Sequence, residues 1–251
     1  EMFRNLSDGA KGAYCMIIGS LLLTSQDAIT KWMTSSYHAG EILFYRGIFT
    51  FLPIIFLVLW AGDIKLLRTR SLKSTLLRAV LGSATSVFVV LSFAFLPLAT
   101  ALAIIFLSPI LLTALSVPFL GETVGWRRWC AVFVGFCGVL LIIQPGQGGV
   151  WVYFLIPLFT ALLVTMRDIV TRRMRGGDTS LSILFYSMLV AVLTGGISLP
   201  IFGYSLPNWS DIGLFAAAGI MVSFSHLLII QALLFAPGAT VAPFKYLSLV
   251  Y

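Results

Sequence analysis

The sequence predicts an all-α polytopic membrane protein, an inverted repeat of two five-helix units with ten transmembrane helices, about nine of them present in this chain. Three observations lead there. The 251 residues are 59% hydrophobic and only 10% charged, with mean hydropathy +1.03, whereas soluble domains carry about 25% charged residues. Apolar stretches of about 20 residues, enough to cross the hydrocarbon core of a bilayer, recur along the whole chain. Blocks of residues also return at an offset of 140–141.

The apolar stretches define nine spans, at 11–33, 40–61, 74–95, 98–120, 126–144, 150–173, 179–203, 211–235 and from 238 onward. All six tryptophans, Trp32, Trp60, Trp126, Trp129, Trp151 and Trp209, fall near span ends, as an interfacial aromatic belt requires. The net charge of +7 does not point to nucleic acid, because the basic residues gather in short connections. Lys65, Arg68, Arg70 and Lys73 follow span two, Arg127 and Arg128 open span five, and Arg172, Arg173 and Arg175 follow span six. These connections share one face, and the opposite connections 96–97, 145–149 and 204–210 hold no Lys or Arg. The positive-inside rule therefore places the N-terminus in the cytoplasm.

The repeat divides the chain into 1–146 and 147–251. Ile42-Leu43-Phe44-Tyr45 returns as Ile183-Leu184-Phe185-Tyr186, and Asp27, Lys31 and Met33 align with Asp168, Arg172 and Met174. Pro97 to Ser108 aligns with Pro237 to Ser248. A first unit of five spans sends the second into the membrane upside down, the architecture of carriers that alternate access around a mid-membrane site. The same alignment leads to the expectation that a tenth span follows Tyr251, and the absence of an initial Met that residues precede Glu1.

Ala99-Thr100, Leu107-Ser108-Pro109, Gly121-Glu122, Trp126-Arg127 and the Gly135, Gly138, Leu141 helix resemble the drug/metabolite transporter superfamily, specifically its EamA-type members. The resemblance covers nearly the whole chain. It implies a transporter of small metabolites, secondary-active or facilitative, in the bacterial inner membrane, with amino-acid export first among its substrates. The alternatives are an uptake carrier for a vitamin or nucleotide-like solute such as riboflavin, a small-solute channel, or a receptor without transport. The expected partners are a small-molecule substrate and membrane lipid, with a proton or another ion as the coupling species or none. No cofactor is expected. The sequence does not address oligomeric state.

Nothing in the sequence points to an enzyme. Gly146-Gln147-Gly148-Gly149 follows no strand and is a turn, not a phosphate cradle. Cys130 and Cys137 are about 10 Å apart along one helix, too far for a disulfide. Ionisable residues within spans are another matter, because their burial is costly. Asp27 lies about 9 Å from the outer end of span one, with Arg46 at similar depth in span two. Asp168 lies about 8 Å, and Lys245 about 10 Å, from the inner ends of spans six and nine. These are candidate outer and inner gating or coupling pairs. The alternative is that Arg46 and Lys245 snorkel to the headgroups while the acids cap helix ends or pair with Arg167 or Lys31. Candidate substrate-binding residues are Tyr45, Ser83, Ser86, Ser108, Tyr186, Ser187, Tyr246 and Ser248, together with His226 in the middle of span eight. Each serine also has a plain reading as a helix-packing residue. Pro109 and Pro243 free carbonyls at membrane depth and mark spans four and nine as binding helices.

Overall fold

Long apolar runs leave the backbone no partner but itself in lipid, and the chain responds with helices. The computed structural model describes residues 7–121, 149–174 and 177–236, together with Gly125, Trp126, Trp129, Cys130, Phe133, Val134, Cys137, Gly138 and Phe244. Most of predicted span five, and all of span nine except Phe244, lie outside them, and Lys245, Tyr246 and Ser248 with it. The described helices are α1 (Asp8–Met33), α2 (Ala39–Ala61), α3 (Leu72–Phe95), α4 (Leu98–Ile105), α5 (Leu107–Leu120), α6 (Leu155–Arg173), α7 (Ser180–Phe202) and α8 (Trp209–Phe235). Among the described residues, six helical segments are long and apolar enough to cross a membrane, with α4 and α5 together forming one of them. The protein is therefore a multi-pass helical membrane protein. α1 is as long but carries the polar run Thr24-Ser25-Gln26-Asp27.

Span four differs from expectation, because it breaks at Phe106 into α4 and α5. Pro109 explains the position: its nitrogen cannot bond the carbonyl of Ile105, four residues back, and its ring crowds that carbonyl. Other ends follow ordinary capping chemistry. His38 Nδ1 accepts from the amides of Gly40 and Glu41, while the Glu41 carboxylate accepts from the His38 amide at 3.0 Å, a reciprocal cap for α2. Gly62 and Gly121 end α2 and α5 in the left-handed region, at φ 66° and 67°.

α1 packs chiefly on α8, α3 on α6, and α2 on α7, while α2 also meets α8 and α3 meets α7. Exchanging α1, α2 and α3 for α6, α7 and α8 maps each of these pairs onto another or onto itself. Lys31 and Arg172, aligned in the sequence, do the same work: Lys31 donates to the carbonyls of Phe93 and Leu96 at the end of α3, and Arg172 to Leu233 near the end of α8. Cations at helix C-termini are favoured by the dipole and by the free carbonyls there.

Polar ties close both ends of the bundle. At one end Tyr37 donates to Asp211 at 2.7 Å, the Tyr45 hydroxyl to the Ser205 carbonyl at 2.8 Å, and the Ser205 hydroxyl to Glu41 at 2.9 Å. Burial, then the hydrogen bond to Asp211, pushes the Tyr37 phenol up to about 12, so it remains the donor. At the other end Asp178 accepts from the Arg70 amide and from Thr75, and Thr179 donates to the Leu66 carbonyl. The connection 62–71 and residues 177–179, which lead into α7, therefore share a face. Trp32 and Trp209 are exposed at the first end and Trp60 at the second, where aromatic side chains meet lipid headgroups.

Candidate functional site

Polar side chains inside an apolar bundle must find one another or line a cavity. Here they do both. A cavity of about 110 Å³ opens between α1, α2, α3, the α4–α5 break, α6 and α8. Its polar wall includes Asp27, Arg46, Ser86, Arg167 and His226, and its apolar wall includes Val89, Leu102, Ile105 and Phe106. A second, smaller cavity of about 30 Å³ adjoins it toward α7. Arg46, Ser86, Arg167, Val222 and His226 border both, so they form the partition.

Two clusters hold the charges. In the first, Arg46 Nη1 donates to Gln26 Oε1 at 2.8 Å and to Thr30 Oγ1 at 3.2 Å, while Gln26 Nε2 donates to Asp27. Gln26 thus bridges the acid and the base that the sequence puts at one depth. In the second, Arg167 donates through Nε and Nη2 to Asp168 Oδ1 at 3.1 and 2.9 Å. Arg78 reaches across from α3, donating through Nε to Thr171 at 2.8 Å and through Nη1 to Ser187. Gln26, Asp27 and Thr30 align with Arg167, Asp168 and Thr171 at the repeat offset, so one helical face carries a polar triplet in α1 and again in α6.

The sequence candidates divide by depth. Asp27, Arg46, Ser86, Ser108 and His226 border the larger cavity, and Ser187 borders the smaller. Ser108 also offers its carbonyl to Thr165 at 3.2 Å. Ser83 instead ties α3 to α7 through Thr194 at 2.8 Å. Tyr45, in the second turn of α2, packs its ring on Phe215 at the bundle end. Tyr186 packs edge-on against Phe185 and borders neither cavity. Asp168 stands behind Arg167, away from both cavity walls. Arg78 and Gln26 do not emerge from the sequence reading. Arg78 lies only four residues into predicted span three, where a cation reads as part of the basic interface. The signal was available, since Arg46 at comparable depth drew notice.

His226 has no hydrogen-bond partner among the described residues, and its ring borders both cavities. A half-buried imidazole that borders both cavities is placed to bond a solute there.

A family model described as the EamA-like transporter family matches residues 10–144. A riboflavin transporter of Rhizobium johnstonii is 27% identical over 241 residues, 95% of this chain and 79% of the relative. An S-adenosylmethionine uptake transporter of Rickettsia prowazekii is 28% identical over 240 residues, 94% and 80% of the two chains. A pseudopaline exporter of Pseudomonas aeruginosa is 24% identical over 250 residues, 96% and 84% of the two. Both directions of transport occur among these similar proteins. The matched stretch exceeds half of the chain and runs from the first turn of α1 past the end of α5: the chain belongs to the EamA-like transporter family.

Proposed function

We propose that the protein is a secondary or facilitative carrier that moves a small amphipathic metabolite by alternating access, with the larger cavity as its substrate site. The supporting observation is that cavity: a space at mid-bundle walled by charged groups on one side and apolar groups on the other. The names of the relatives move the reading from simple amino acids toward larger solutes of vitamin or amino-acid-derivative size. The named solutes of the relatives, riboflavin, S-adenosylmethionine and pseudopaline, are of that kind, and direction is left to either import or export. The exchangeable packing of α1–α3 with α6–α8 supports an inverted repeat. The shared face of the basic connection 62–71 and residues 177–179 supports a cytoplasmic N-terminus in the bacterial inner membrane. On this reading Asp27–Gln26–Arg46 and Arg167–Asp168, with Lys245 as its proposed further partner, act as coupling groups on opposite sides of the cavity.

Counterflow in proteoliposomes tests the proposal, with amino acids, S-adenosylmethionine, flavins and nucleotides as solutes. Accumulation of a labelled solute driven by its unlabelled copy is the expected result. His226→Phe, which removes a cavity-facing nitrogen, should lower that counterflow roughly fivefold to tenfold, the worth of one hydrogen bond. Leak of several solutes without counterflow would replace the carrier by a channel.

A further inference from the structure

The smaller cavity is lined by three guanidinium groups, Arg46, Arg78 and Arg167. The carboxylates nearest them are Asp27 and Asp168, one per cluster. Among the described residues these are three cations against two carboxylates; Arg78 is 3% exposed, both of its hydrogen bonds go to neutral hydroxyls, Thr171 and Ser187, and the Asp168 whose charge reaches it is already held by Arg167. Burying three guanidiniums against two carboxylates is costly, and the excess positive charge attracts an anion into the low-dielectric space beside it. The surrounding wall adds the His226 imidazole to the guanidinium forks, while the Thr50 and Ser187 hydroxyls donate to the carbonyls of Gly47 and Ile183. Arg forks match the paired oxygens of carboxylate and phosphate alike.

We infer that the smaller cavity is an anion subsite, where Arg78 and its two neighbouring arginines seat a carboxylate or phosphate of the transported solute while the rest occupies the larger cavity. The inference rests on the carrier reading for the solute's path, but not for the site itself. It specifies what that reading leaves open: the solute is an organic anion or zwitterion, held by its oxyanion toward α7. Thr171 and Ser187 orient the Arg78 fork from α6 and α7, so occupancy joins α3 of one half to two helices of the other.

Ligand-induced thermal stabilisation of the detergent-solubilised protein tests this without requiring transport. The probes are matched pairs: leucine against leucinamide, adenosine monophosphate against adenosine, and flavin mononucleotide against riboflavin. The expected result is that the member bearing the carboxylate or phosphate in at least one pair binds at least roughly tenfold more tightly, as loss of charge-assisted hydrogen bonds implies. Preference within the leucine pair identifies a carboxylate, and preference within the other two a phosphate. Arg78→Gln should abolish that preference and Arg78→Lys should retain part of it. Because the paired comparison is made on the unaltered protein, it stands even if a variant misfolds. Equal binding of both members of every pair, or no binding of any anion at millimolar concentration, overturns the inference. Arg78-dependent anion binding without counterflow would keep the subsite and remove the carrier. Counterflow indifferent to the anionic group would do the reverse.

Discussion

Asp168→Ala is expected to destabilise the protein by about 3–5 kcal/mol, the usual result of removing one partner from a buried ion pair. Asp168 is 1% exposed and Arg167 6%, and the two hydrogen bonds between them take both the Nε and the Nη2 of the guanidinium. Without the carboxylate, Arg167 retains its charge at the partition between the cavities and gains no compensating acceptor. The double replacement Arg167→Met with Asp168→Leu removes both charges and should restore much of the lost stability, since an apolar pair of similar volume often substitutes without penalty. Counterflow should stay absent in the double variant, because the guanidinium also forms part of the cavity wall. Thermal unfolding followed by size-exclusion chromatography reads the first effect and proteoliposomes the second. A single variant as stable as the parent would show that the pair is not a structural tie.

The second large effect is steric. A Cβ on Gly219 of α8 would lie 2.5 Å from the carbonyl oxygen of Arg46 and 2.7 Å from Cβ of Phe49. One on Gly195 of α7 would lie 2.6 Å from the Phe44 amide nitrogen and 2.9 Å from the Gly40 carbonyl oxygen. Both obstacles include the α2 backbone, which cannot step aside as a flexible side chain does, so Gly219→Ala and Gly195→Ala must push helices apart. Overpacking of this kind costs about 1–3 kcal/mol or more. Small residues at such crossings are what allow membrane helices to approach closely. Gly219→Ala should also impair transport, because it displaces the backbone that carries Arg46. Gly213→Ala is the internal control: nothing lies within 4 Å of its added methyl, and an exposed helical glycine gains about 0.5–1 kcal/mol on becoming alanine. Equal behaviour of all three would contradict the packing described here.

Helix positions were legible because hydropathy and lipid together dictate them. Expected spans at 40–61, 74–95, 179–203 and 211–235 meet Ala39–Ala61, Leu72–Phe95, Ser180–Phe202 and Trp209–Phe235 to within a few residues. The break at Phe106 was implicit in Pro109, but a proline reveals which bond it removes and not whether the helix bends or stops. Pro53 and Pro200 lie inside unbroken helices. The cavity was harder to foresee. The depth of Asp27 and Arg46 follows from the sequence, whereas the bridging by Gln26 depends on the rotation of α1 about its axis. Arg78 was hidden for a related reason. A cation near a span end is exposed if its helix face meets lipid and buried if it meets α6 and α7, and only packing decides between them. Tyr45 and Tyr186 stand at aligned positions but neither borders a cavity, because sequence alignment fixes depth and not direction.

Site-directed thiol labelling tests most directly whether one mid-bundle cavity opens to each membrane face in turn. Ser86 borders both cavities and is the position to convert to cysteine, in a protein whose Cys15, Cys130 and Cys137 are replaced by alanine. A membrane-impermeant thiol reagent would be applied to right-side-out and to inside-out vesicles. Modification from both sides is expected, slowed on both by a transported solute. Modification from one side only, under every solute condition, would contradict it.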